Sequence, residues 1–205
     1  MNKSPLHLAL PGLAFLLGAS CVEPAHAEPA AFVPVMAQSS LSFVGKQQGE
    51  KFTGALKDFD ARIAYAPEQV SDTRIDVTVR MKALTTGNQE RDTTLAGADW
   101  FDYQHFPTAT FRASAFRAAP GGATGDAELT IKGHAKHIPF PFTWKASDTG
   151  ATLDARVTLD RLDFGLGSGE WTDESIVEHK VEVIVHLVLV RAGPSAVPPA
   201  AARKN

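Results

Sequence analysis

The sequence is short of cysteine, of net charge and of long apolar runs, and each shortage excludes something. One cysteine in 205 residues, Cys21, cannot close an intrachain disulfide. With 20 basic and 23 acidic residues the formal charge is only −3, which leaves no basic face for nucleic acid. No apolar stretch reaches the ~20 residues of a membrane-spanning helix. Motifs that carry chemistry are scarce too. There is no Gly-x-Ser-x-Gly elbow, and Gly167-Ser168-Gly169 is not one. Gly165-x-Gly167-x-Gly169 does not open a helix after a strand, so it reads as a turn and not as a phosphate cradle. His134 and His137 lie three apart and would leave a strand on opposite faces, poor geometry for one metal. The expectation is a protein that is not an enzyme and needs no cofactor or metal.

The N-terminus carries an address. Lys3 is the only charge before Glu23, an apolar stretch runs from Leu6 to Ala19, and Ala25-His26-Ala27 forms a small-x-small triplet before Glu28. This is the layout of a cleavable secretory signal over residues 1–27, and it predicts a periplasmic, exported protein. Cutting there removes Cys21, and with it any thiolate ligand or cysteine nucleophile. The alternative is lipidation: Leu17-Gly18-Ala19-Ser20-Cys21 loosely resembles a lipoprotein cleavage site, with Gly18 where Leu is expected. At the other end residues 193–205 are rich in Pro and Ala and read as a mobile tail. Between them, 28–192 reads as one domain, and a hydrophobic fraction of 44% can build its core.

From Ser40 to Val190 the pattern has period two. Ile75, Val77, Val79 and Met81 alternate with polar residues, as do Leu129 with Ile131, and Leu153, Ala155, Val157 and Leu159. Phe111, Ala113 and Ala115 form another such run, and Ile138, Phe140, Phe142 and Trp144 alternate with Pro139, Pro141, Thr143 and Lys145. Period two gives each strand one dry face, and the short turns between runs predict an antiparallel sheet. Pro139 and Pro141 cannot donate to a ladder, so their segment is expected at an edge or to start irregularly. Gly121-Gly122 and Gly125 are expected to mark a hairpin turn. One stretch breaks the rhythm. Gly87 to Pro107 is expected to be a helical insertion across the sheet, opened by a capping box of Thr86 with Gln89 and carrying Trp100 and Phe101. No long amphipathic helix is present to cover the dry face, so the sheet must form a sandwich or close on itself as a barrel.

A barrel of about eight strands can be filled by side chains or can hold one small ligand. The inward set is apolar, so a guest must be apolar too. Each buried methylene contributes ~0.8 kcal/mol, so a chain with many of them needs no hydrogen bond to bind. Periodicity alone leaves both cases open. The competing case is an envelope structural or protein-interaction domain with a filled core and no ligand, favoured by an interior below ~300 Å³.

Three segments then carry a resemblance. Gly87 to Leu95 runs into Ala98-Asp99-Trp100-Phe101-Asp102 and His105-Phe106-Pro107-Thr108-Ala109-Thr110-Phe111. Gly125 to Gly133 and Asp160-Arg161-Leu162-Asp163-Phe164-Gly165 are the others. Together with Ser39 to Phe59 they resemble the YceI-like family of periplasmic polyisoprenoid-binding proteins over nearly all of Val33 to Val190. Thr94 departs from the pattern, standing where many relatives carry a histidine. The resemblance implies an all-β, lipocalin-like extended antiparallel barrel whose cavity holds a long-chain lipid, such as a polyisoprenoid or an isoprenoid quinone. Under that reading the lumen and mouth comprise Phe43, Phe52, Val77, Val79, Phe111, Leu129, Ile131, Phe140, Phe142, Leu153, Val157, Phe164, Val183 and Val185. Trp100, Phe101, Phe106 and Trp171 are expected as a lid or wall. Arg91 is expected to pair with Asp92, Asp99 or Asp102, or else to meet a phosphate head. The expected partner is the lipid, with transient membrane contact and homodimerisation left open.

Overall fold

The computed structural model describes residues 29–193; the expected signal, Cys21 and nearly all of the tail lie outside them. Eleven strands follow in chain order: β1 (Ala30–Pro34), β2 (Ser40–Gln47), β3 (Glu50–Leu56), β4 (Phe59–Tyr65), β5 (Arg74–Arg80) and β6 (Leu84–Thr85). After helix α1 (Gln89–Ala96) come β7 (Thr108–Ala119), β8 (Gly122–Ile131), β9 (His134–Ala146), β10 (Gly150–Asp160) and β11 (Lys180–Arg191). Every pairing is antiparallel. The ring β1-β4-β5-β7-β8-β9-β10-β11 closes on itself through β1 and β11, an eight-stranded barrel. The rest of β11 pairs with β2, which continues to β3 and β6. One edge of β11 thus serves β1 at Leu189–Arg191 and β2 at Glu182–His186. Ser39 stitches the break, its hydroxyl accepting from Val188 N–H at 3.1 Å.

Period two holds through the wall with one interruption. Between Ser114 and Arg117 the β7–β8 register shifts, and Ala115 takes a left-handed φ of 51°. This bulge reverses the parity. Ala115, expected inside, is exposed, and Phe116 is buried in its place. Gly125 lies within β8 and not in the hairpin turn, because a Cβ there would strike the Phe116 ring. The turn uses Gly121, at φ 71°.

The prolines are not at an edge. Strand β9 pairs with β8 from His134 to Thr143, but with β10 only from Phe142 to Ala146. Trp144 N–H donates toward β8, to Gly121 O. Backbone direction alternates, so the odd positions 139 and 141 turn their nitrogens toward β10. Two missing donors on that side account for the ladder stopping at Phe142.

The insertion is less helical than its spacing suggests. Only Gln89–Ala96 is α-helix, and turns follow to Pro107. Its cap is Asn88, whose side chain accepts from Arg91 N–H at 2.9 Å. Thr86 does not cap it: the carboxylate of Asp92, reaching back from the first turn, accepts from Thr86 N–H and Oγ1 and from Thr85 Oγ1.

Candidate functional site

Inward-facing side chains fall into two groups along the barrel axis. At one end, near Leu187, Leu189, Ala123, Ala151 and Ile63, they are almost wholly buried. Aromatic rings reach the axis there and fill it. Tyr65 stacks on Trp144 at 4.1 Å, Phe32 meets Trp144 edge-on at 5.1 Å, and Phe116 meets Phe142 at 5.4 Å. Toward the other end the inward residues include Val77, Leu129, Ile131, Ile138, Val157, Val181, Val183 and Val185. They have the same parity but are only half-buried. A valine is too short to meet its opposite across eight strands, so this half is hollow.

The hollow is a tunnel walled by apolar groups. It offers 190 Å³ to the centres of water-sized spheres, within about 1460 Å³ of atom-free space that runs out into solvent. The smaller figure measures the lumen itself and lies below the ~300 Å³ of a compact small-molecule pocket. A bulky, rigid guest does not fit. One water-sized group takes roughly 10–15 Å³ on this measure, so the lumen accepts a file of a dozen or more such groups, the shape of a slim chain. Two glycines keep it open. Phe43 lies opposite Gly54 and Phe52 opposite Gly45. A Cβ on Gly45 would come within 2.8 Å of the Phe52 ring, and one on Gly54 would collide with Phe43. Both rings therefore lie against the wall instead of across the bore.

Of the residues expected at lumen and mouth, Phe43, Phe52, Val77, Val79, Trp100, Phe101, Phe111, Leu129, Ile131, Phe140, Leu153, Val157, Phe164, Val183 and Val185 line the tunnel. Three do not. Phe142 points inward but belongs to the aromatic plug, against Tyr65, Phe116 and Trp144. Phe106 packs outside the bore, against the turn at Gly133. Trp171 lines a second cavity beside the mouth, its ring 5.9 Å from that of Trp100.

This second cavity is polar where the tunnel is not. Gln47, Asn88, Glu90, Arg91, Thr94 and Trp171 line it, and Phe52, Leu95, Trp100 and Val177 are shared with the tunnel. Arg91 makes no ion pair with Asp92, Asp99 or Asp102. Its guanidinium lies 4.3 Å from the centre of the Phe52 ring, and Nε donates to Gln47 Oε1 at 3.3 Å. Sequence spacing suggested carboxylate partners, but Asp92 is already taken by Thr85 and Thr86.

Asp92 ties α1 to the barrel through those threonines. Partial burial opposes its charge, yet the hydroxyl and N–H donors and the nearby Arg91 outweigh it and hold the carboxyl below its ordinary value. A carboxyl depressed in the fold adds stability above its unfolded pKa, and that stability is lost as pH falls through the folded value. The tether therefore holds at neutral and mildly acid pH and fails below about pH 4. Acid titration followed by Trp100 fluorescence should show α1 loosening there. Asp92→Asn should be loosened already at neutral pH and should lack the step.

Arg161 was missed by sequence reading, although it sits in a quoted motif. It is 2% exposed and spends its donors on backbone carbonyls. Nη1 donates to Leu166 O at 2.7 Å and Gly167 O at 3.3 Å, Nη2 to Val177 O at 2.9 Å and to Trp171 O, and Nε to Glu178 O at 3.2 Å. Burial pushes its pKa down, partly offset by Asp160 and Glu174, but a guanidinium stays charged. It binds the mouth loops to one another beside Trp100, 5.3 Å from that ring. An alternation pattern cannot reveal it, because a single arginine after a strand normally reads as solvated.

A closed antiparallel barrel, plugged at one end and hollow at the other with a polar antechamber, has the build of a barrel that holds an extended apolar guest. Residues 32–189 match the YceI-like domain. The chain belongs to the YceI-like family. Among curated relatives, a UPF0312 protein of Shewanella denitrificans is 30% identical over 148 residues, covering 69% of this chain and 74% of that protein. One from Pseudomonas putida is 28% identical over 131 residues, 60% of this chain and 68% of its own. The crystal structure of BcnA from Burkholderia cenocepacia superposes with a TM-score of 0.73 at 32% identity, over 78% of this chain and 99% of that one. A polyisoprenoid-binding domain from Saccharophagus degradans has the same fold at 17% identity, with a TM-score of 0.62 over 80% and 99% of the two chains.

Proposed function

We propose that this protein is a periplasmic carrier that shields one long, slim lipid chain, a polyisoprenoid or similar amphiphile, without acting on it chemically. The observation that carries this reading is the tunnel, which is apolar along its wall, open at one end and too narrow for a compact guest. Burial of a dozen methylenes at ~0.8 kcal/mol each gives a gross driving force of roughly 10 kcal/mol, enough to hold a water-insoluble chain after association costs. The polar antechamber around Arg91 is where a head group would rest. Family membership and the fold shared with a polyisoprenoid-binding domain support the same reading. Export follows from the signal-like N-terminus, with a mature chain starting at Glu28 as the expected form.

Organic extracts of protein purified natively from its periplasmic fraction should contain a long-chain lipid by mass spectrometry. The intact protein mass should correspond to residues 28–205. Repeated extracts free of lipid would overturn the carrier reading. A lipid-modified mass beginning at Cys21 would replace the soluble form by an anchored one.

A further inference from the structure

We propose that the mouth selects lipids whose head is uncharged and accepts hydrogen bonds, such as a carbonyl-bearing ring, and rejects phosphate and diphosphate heads. This deepens the carrier reading and rests on it. Two independent observations lead here.

The first is the balance of donors and acceptors in the antechamber. Asn88 spends its side-chain oxygen on the Arg91 N–H, and Gln47 spends its own on Arg91 Nε, so each has only its amide NH₂ left. The Thr94 hydroxyl is spent on Glu90 O. The Nη groups of Arg91 make no hydrogen bond or ion pair among the described residues. Trp100, in the wall between antechamber and tunnel, has a buried Nε1–H with no acceptor. An indole nitrogen can only donate. Donors are in surplus on this surface, and a guest must supply the acceptors.

The second is charge. Within the lining, Arg91 faces Glu90, and the two cancel. The three segments that build the rim, 46–52, 86–107 and 161–179, hold four basic residues against ten acidic ones. Two of the four are committed: Lys46 to Glu178 at 2.8 Å, and Arg161 to backbone carbonyls. Lys132, on the neighbouring turn, is likewise committed to the carbonyls of Ala98 and Gly165. A phosphate bearing one or two negative charges would approach one guanidinium, already offset, through a field of its own sign. A neutral acceptor meets the same donors without that repulsion.

The test is equilibrium retention by the full mature chain of two chain-matched lipids, an isoprenoid benzoquinone and an isoprenoid monophosphate, at low salt. The quinone should bind at least about tenfold more tightly, and the gap should narrow as salt screens the rim. Glu90→Lys should raise phosphate-lipid affinity and leave the quinone nearly unchanged. Equal or tighter binding of the phosphate lipid by the unaltered protein would overturn head selection while leaving the carrier reading intact. Retention of neither would overturn both.

Discussion

Arg161→Leu should cost about 4 kcal/mol or more in folding stability, a large share of the roughly 5–15 kcal/mol available to a domain. The leucine replaces much of the lost volume but none of the donors. Five carbonyls, of Leu166, Gly167, Trp171, Val177 and Glu178, then lose their partner. Each buried acceptor left unmatched costs about 1–3 kcal/mol, and some will recover water at the rim. Urea denaturation should show a lower midpoint with an unchanged slope. Arg161→Lys should recover only part of the loss, because one ammonium has three donors and no planar fork. A change below about 1 kcal/mol for the leucine variant would mean that the loops hold together by other contacts and that Arg161 is incidental.

Val157→Phe combined with Val183→Phe should abolish lipid retention while leaving the barrel folded. The two valines are cross-strand partners, and both are half-buried because they face open space. Two rings there enter a void instead of a packed core, so the usual cost of overfilling, about 1–3 kcal/mol, should be reduced. Denying the guest even four methylenes removes about 3 kcal/mol, a loss of roughly a hundredfold in affinity. Melting temperature and extracted lipid, measured on the same preparation, separate blockage from unfolding. Undiminished lipid in a folded double variant would show that the chain does not lie along this stretch of wall. Phe142 is the wrong residue for such a test: it belongs to the packed plug, and its substitution would report on folding.

Much of the barrel was legible because it rests on local rules. Alternation in β5, β8, β10 and β11 placed the dry face correctly, and the lack of a covering helix forced closure. What escaped has particular causes. The β7 bulge moved Phe116 inward in place of Ala115, and a single left-handed residue leaves almost no mark on a pattern of apolar letters. The capping box at Thr86 looked sound, but Asp92 competed for the same donors, and Asn88 took over the cap. The prolines of β9 were expected at an edge because sequence does not say toward which neighbour a nitrogen points. Phe106, Phe142 and Trp171 have the composition of a lipid pocket, yet composition does not locate a ring along the barrel axis.

The sequence by itself determined the family, the closed antiparallel barrel and the apolar character of its inner face, because side-chain parity in a strand is fixed one residue at a time. Only the tertiary structure decided that this inner face encloses a tunnel at one end and a solid plug at the other. Whether opposed side chains touch depends on the sum of their lengths across the bore, and that sum involves residues brought together only when the ring closes.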